Sequence, residues 1–275
     1  MHSVIGHMHR HLSGLLEKIF RPGLLLLVLT VALLAQVNWR PIFSRRYTPR
    51  AGAQVPISIE GRPLDDRRPG EMSYLIYLPQ EYSENETQTW PLLLYLHGSG
   101  DRGDELGLVK RSGTPALIER GEHLPLIVVS PQCHENRIWN ASALLLLIDS
   151  VSDDYRIDRN RVFVTGFGMG SYGTWVLAAK CPDRFAAIVP VGRGADPKIG
   201  SRLSKMAVWA FHGALDENIP LSAVQSIVNS VRDAGGNVRL TVFPDRGRDI
   251  SDVVYLDPNL YLWLLRQRRG DDPSK

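Results

Sequence analysis

The chain has 275 residues, 44% of them hydrophobic and 22% charged, with a formal net charge of +3. That is enough apolar material for a sizeable core, and too small a charge excess to imply a polyelectrolyte partner. No arginine stripe interleaved with aromatics points to nucleic acid. The two cysteines and eight histidines show no zinc-type spacing, so no nucleic acid, metal or other cofactor is expected.

The N-terminal segment stands apart from the rest. Residues 1–23 carry Arg10, Lys18 and Arg21 against Glu17, and an apolar run, LLLLVLTVALLAQV, follows from Leu24 to Val37. The run is shorter than the ~20 residues that span a bilayer and resembles a signal-peptide core. Residues 1–37 are therefore expected to be a signal peptide or an N-terminal membrane anchor, which would make the protein exported or membrane-anchored. Arg40, Arg45, Arg46 and Arg50 just beyond oppose translocation of that side, so orientation and cleavage stay open. Residues 38–53, with Pro41, form a linker, and residues 54–270 the folded domain.

Two strands come first, Val55 to Ile59 and an alternating Met72 to Leu78, expected as an edge pair that Pro79 stops. The run PLLLYL, Pro91 to Leu96, is apolar throughout, as a parallel strand buried on both faces must be. A loop rich in glycine and charge follows over 97–113, then a short helix around Pro115 to Arg120, a strand at Leu124 to Val129 and an apolar helix over Ala141 to Tyr155. Val162 to Thr165 is a short β-branched and aromatic strand, and Ser171 to Lys180 a helix. Strands at Ala186 to Pro190, Ala207 to Phe211 and Val238 to Phe243 complete the alternation. A helix from Pro220 to about Ala234 lies before the last strand, ended by Gly235 and Gly236, and another opens at Pro258.

Strand and helix alternate from residue 91 onward, which calls for a mostly parallel, doubly wound sheet with helices on both faces and ligands beyond the carboxyl ends of its strands. Cys133 falls at that edge. Cys181 ends a helix that returns to the opposite one, too far for a bridge, so two free thiols are expected.

The stretch RVFVTGFGMGSYGTW, Arg161 to Trp175, has a strand, then Gly166, Gly168 and Gly170 alternating with Phe167 and Met169, then a helix. This is the layout of a nucleophile elbow, G-x-S-x-G, with glycine where the nucleophile belongs. The blocks YLPQEY, YLHGSGDRGDE, IVVSPQC, RNRVFVTG, GMGSYGTWVLAAKCPDRFAAIVP, VWAFHGALDENIP and GGNVRLTVFPDRGRD occur in that order between about Tyr74 and Arg268. Together they resemble the phospholipase/carboxylesterase-type branch of the α/β-hydrolases, near the polyhydroxybutyrate depolymerases and feruloyl esterases. The resemblance implies an α/β-hydrolase fold and assigns positions. The oxyanion donors would be the N–H groups of Ser99, in His97-Gly98-Ser99-Gly100, and of Met169. The triad acid would be Asp216, although an aspartate there could equally cap a local turn.

The other two triad positions are substituted. The nucleophile falls on Gly168. The base falls on Arg248, in Asp245-Arg246-Gly247-Arg248-Asp249, and a guanidinium with a pKa above ~12 cannot act as a general base near neutral pH. Ser171 lies one turn into the helix, where a hydroxyl caps or packs. No histidine follows Asp216. Arg248 can be placed facing Asp216. Either the two pair and close the site, or Arg248 and the Ser99 and Met169 amides form a nest for a small carboxylate or ester ligand. The expected protein is an exported, esterase-like homologue without serine-hydrolase activity. An active ester hydrolase using another group, such as water activated by Asp216, and a membrane-tethered interaction module are the alternatives. Oligomeric state is not encoded in any motif.

Overall fold

The computed structural model describes residues 49–59, 63–65, 68–69 and 72–271. The segment 1–37 expected as signal peptide or anchor, and most of the 38–53 linker, lie outside the described residues.

The apolar runs become strands. In chain order, β1 (Gln54–Ile59) is followed by a two-stranded ribbon, β2 (Pro63–Asp65) with β3 (Arg68–Pro69). Next come β4 (Met72–Tyr77), β5 (Trp90–Leu96), β6 (Ile127–Pro131), β7 (Ile157–Phe167), β8 (Ala187–Val191), β9 (Ala207–Gly213) and β10 (Val238–Phe243). Apart from the ribbon they form one eight-stranded sheet in the order β1-β4-β6-β5-β7-β8-β9-β10. The pairs β1–β4 and β4–β6 are antiparallel, and the remaining neighbours run parallel. This is the mostly parallel, doubly wound sheet with an antiparallel N-terminal pair that the sequence called for. β4 is not an edge strand, however, because β6 takes its second side and leaves β1 alone at the margin.

The helices are α1 (Gly113–Glu119), α2 (Ala141–Asp154), α3 (Met169–Lys180), α4 (Leu221–Asp233), α5 (Ser251–Tyr255) and α6 (Pro258–Arg266). They cover both faces of the sheet, which explains why β5 shows no polar alternation. Leu92, Leu94 and Leu96 point into one core with Leu147, Trp175 and Ile227 of α2, α3 and α4. Leu93 and Tyr95 point into the other with Leu117, Tyr255 and Leu264 of α1, α5 and α6. Side chains of a strand alternate between faces, so only a run apolar at every position can be buried twice. Asn140 starts α2 by accepting from the amides of Ser142 (2.9 Å) and Ala143 (3.2 Å), which satisfies donors the helix itself leaves unpaired.

β7 is longer than its β-branched stretch suggests. It begins at Ile157, and its register against β5 slips between Ile157 and Val162, so its first half is irregular and partly exposed. α3 starts at Met169, two residues before the expected start at Ser171. α5 was not expected at all, being too short to show helical periodicity. Cys133 and Cys181 are free. Among the described residues no helix is long and apolar enough to cross a membrane.

Candidate functional site

The carboxyl ends of β5, β7, β9 and β10 carry the positions singled out in the sequence. At the end of β7, Gly168 turns the chain into α3 with φ 56° and ψ −108°. Its N–H donates to the Val191 carbonyl at the end of β8 (2.9 Å), and its carbonyl accepts from Tyr172 N–H (3.1 Å). That conformation lies where a Cβ meets its own backbone, so glycine adopts it at little cost. The neighbouring glycines serve a different need. An ideal Cβ on Gly170 would lie 1.8 Å from the Leu96 carbonyl oxygen, and one on Gly166 2.5 Å from the Gly170 backbone. α3 therefore starts in direct backbone contact with the end of β5, and the spacing Gly166-x-Gly168-x-Gly170 is a packing requirement around the turn.

The oxyanion-type turn follows β5. Ser99 is exposed and opens a short 3₁₀ turn over Ser99–Asp101. Behind it His97 is fully buried and acts as a strut. Its Nε2 accepts from Cys133 N–H (3.0 Å) and its Nδ1 contacts the Gly98 carbonyl (2.7 Å). Because Nε2 is an acceptor, Nδ1 must carry the proton and donate it. Burial holds the imidazole pKa below its ordinary value, with the Gly98 carbonyl contact opposing it. Trp139 donates from Nε1 to the His97 carbonyl (3.1 Å) and sets its ring edge-on to the imidazole at 4.8 Å. Trp139 escaped the sequence reading. It stands one residue before the α2 cap, in a loop without a motif.

Asp216 follows β9 and is 7% exposed. Its Oδ1 accepts from the amides of Asn218 (2.9 Å) and Ile219 (3.0 Å), so it does cap a local turn. Its Oδ2 is buried without a hydrogen-bond partner. His212 anchors the far side of the turn by donating from Nε2 to the Ile219 carbonyl (2.9 Å). The loop after β10 is stapled to the same place. Leu215 N–H donates to the Arg246 carbonyl (2.9 Å), and a Cβ on Gly213 would lie 1.9 Å from the Gly247 carbonyl oxygen.

That staple presents Arg248, which is exposed. Its Nη2 stands 3.6 Å from the point where a Cβ on Gly168 would be. The structure thus brings the substituted nucleophile and base positions into van der Waals reach. It does not join Arg248 to Asp216 by a hydrogen bond, since Oδ2 lacks any partner and Oδ1 is held by amides. The closed pair considered from sequence is not the arrangement seen. Ser171 is also elsewhere: it is fully buried and its Oγ donates to the Arg193 carbonyl (2.5 Å), which accepts from Trp175 Nε1 as well (3.0 Å). Among the described residues no group of three or more His, Cys, Asp or Glu is placed to hold a metal ion.

The fold that carries these strand ends has counterparts among known proteins. The profile of the dienelactone hydrolase family matches residues 132–248, a segment that includes Gly168, Asp216 and Arg248. A solved thermostable esterase superposes with a TM-score of 0.65 at 25% identity, over 80% of this chain and 64% of the other. The chain has the α/β-hydrolase fold, and its homologues are of the esterase type. Among the curated relatives of this α/β-hydrolase-fold chain, poly(3-hydroxyalkanoate) depolymerase C of Paucimonas lemoignei is 28% identical over 46% of this chain and 32% of its own. The match thus spans about a third of that relative's length. The feruloyl esterase module from Clostridium thermocellum shares the fold, with a TM-score of 0.57 at 18% identity over 78% of this chain and 89% of that one.

Proposed function

We propose that this α/β-hydrolase is an exported or membrane-anchored homologue of the esterases that performs no serine-hydrolase chemistry and keeps the cleft as a binding site. The observation that carries the proposal is the elbow. The residue lifted there has no side chain, and the group standing over it is a guanidinium. Attack on an ester needs a nucleophile and a base to take its proton. Losing either in a Ser–His–Asp enzyme costs about a million-fold in turnover. Nor do the described histidines offer a substitute. His97 and His212 are buried struts, His123 contacts Gln80 and His134 contacts Asp104.

One observation favours a second reading. The partnerless Oδ2 of Asp216 is a carboxylate oxygen that would take a proton from a water admitted to its buried turn. A p-nitrophenyl acetate assay separates the two. Turnover no higher than in an Asp216→Ala variant supports the non-hydrolytic reading, and turnover well above it defeats that reading. The double substitution Gly168→Ser with Arg248→His is expected to regain esterase activity, because both positions already lie against one another. Export rests on residues 1–37. Recovery of the protein from the cytoplasmic fraction would end that part of the proposal, and the mass of the recovered chain would tell cleavage from anchoring.

A further inference from the structure

The emptied elbow leaves two ionisable groups with nothing to bind. Arg248, exposed beside the point where a Gly168 Cβ would be, has no acid partner among the described residues. Asp216 keeps Oδ2 buried and unbonded in the turn that the Leu215–Arg246 hydrogen bond staples to the Arg248 loop. A buried acceptor left open is costly and calls for a donor. A guanidinium in a fixed fork calls for a planar carboxylate. The first amide of α3, that of Met169, has no acceptor inside its helix and adds positive potential beside Arg248.

We infer that this site binds a small monocarboxylate carrying a hydrogen-bond donor, an ammonium or a hydroxyl, a few atoms away. The carboxylate sits on Arg248 over Gly168, and the donor reaches Asp216 Oδ2, buried in the free protein, by displacing the side chains that cover it. The inference rests on the non-hydrolytic reading, since a serine side chain at 168 would occupy the same space. Asp216 sets the selectivity. A second negative charge beside its carboxyl group is repelled, so dicarboxylates and phosphate are excluded. A carboxylate without a donor leaves Oδ2 open.

Calorimetric titration of the purified protein tests this with 4-aminobutyrate and 4-hydroxybutyrate against butyrate, succinate and inorganic phosphate. The first two are expected to bind at least about tenfold more tightly than butyrate, the worth of one charge-assisted hydrogen bond. Arg248→Gln, at an exposed position, is expected to weaken them about tenfold or more by the same measure. Asp216→Asn, which keeps Oδ1 for the turn, is expected to reduce the preference for the amino acid over butyrate. If that variant does not fold, the ligand series and Arg248→Gln decide alone. The proposal is overturned by absence of heat with every ligand, by succinate or phosphate binding as tightly as 4-aminobutyrate, or by unchanged affinity in Arg248→Gln. Ester turnover by the wild type is measured separately. Turnover accompanied by binding would remove the loss of chemistry and leave the ligand assignment standing, whereas no turnover and no binding would remove this inference and leave the loss of chemistry standing.

Discussion

Gly168 and Gly170 sit two residues apart and are required for different reasons, which mutation can separate. At Gly168 an added methyl meets only Arg248 Nη2 at 3.6 Å, an ordinary contact, so the cost of Gly168→Ala is backbone strain alone. Strain of this kind is about 1–3 kcal/mol, and a folded protein with a correspondingly lower midpoint in urea is expected. Gly170→Ala drives a methyl to 1.8 Å from the Leu96 carbonyl and should fail to fold. Equal stability of the two variants would contradict the assignment. His97 supplies a test in pH. Burial lowers its folded pKa, so the neutral ring is the folded form and its full contribution is present above the ordinary value of 6.5. Stability is lost as pH falls from that value toward the depressed one, because the unfolded chain binds the proton first. Imidazole resonances should show the Nδ1–H tautomer and a midpoint below 6.5; a midpoint above it would refute the strut. At this scale Gly168, Asp216 and Arg248 were legible because their order along the chain ties each to a strand end. The missing Arg248–Asp216 pair was not, since the torsions of a long side chain are decided by its surroundings.

Elements position these residues through contacts between distant segments. α3 is held at its start by backbone packing against β5 and one turn later by the Arg193 carbonyl, which takes both Ser171 Oγ and Trp175 Nε1. Ser171→Ala removes one donor but leaves that carbonyl its indole, so the expected cost is about 0.5–1.5 kcal/mol, with no orphaned acceptor. A fluorophosphonate probe should leave Ser171 unlabelled; labelling there would show that the hydroxyl is free to attack. Sequence suggested that a hydroxyl in this turn caps or packs. Its acceptor across 22 residues had no local signal. The same holds for β7, whose first half pairs irregularly with β5: the β-branched and aromatic run marks Val162 to Thr165, within the buried half, and is silent about the rest. The ribbon of β2 and β3 is likewise too short and polar to stand out.

For the molecule as a whole, topology was the most legible feature. A run apolar at every position, such as Pro91 to Leu96, has one use in a layered sheet, burial on both faces, and the alternation of strands with helices from there on leaves few arrangements. Closure at the C-terminus was less visible. Arg268 reaches Asp158 (3.0 Å), and Arg269 reaches Asn160 Oδ1 (2.7 Å) and the Asp183 carbonyl (2.8 Å), tying the chain end to the start of β7. Removing residues 267–275 is expected to lower the melting temperature by several degrees, at about 2–4 °C per kcal/mol for a domain of this size. An unchanged midpoint would show the clamp to be idle.

The geometry at Gly168 also bears on the order of mutational events. A serine arriving alone would take up the positive-φ strain and face a guanidinium that cannot accept its proton. A histidine arriving alone at position 248 would stand over an empty elbow. Neither single change yields a selectable gain, and the first lowers stability. Under the proposed reading the loss of chemistry therefore works as a ratchet: each step away from the triad relaxes the turn or is neutral, and the way back has to be taken in one double step.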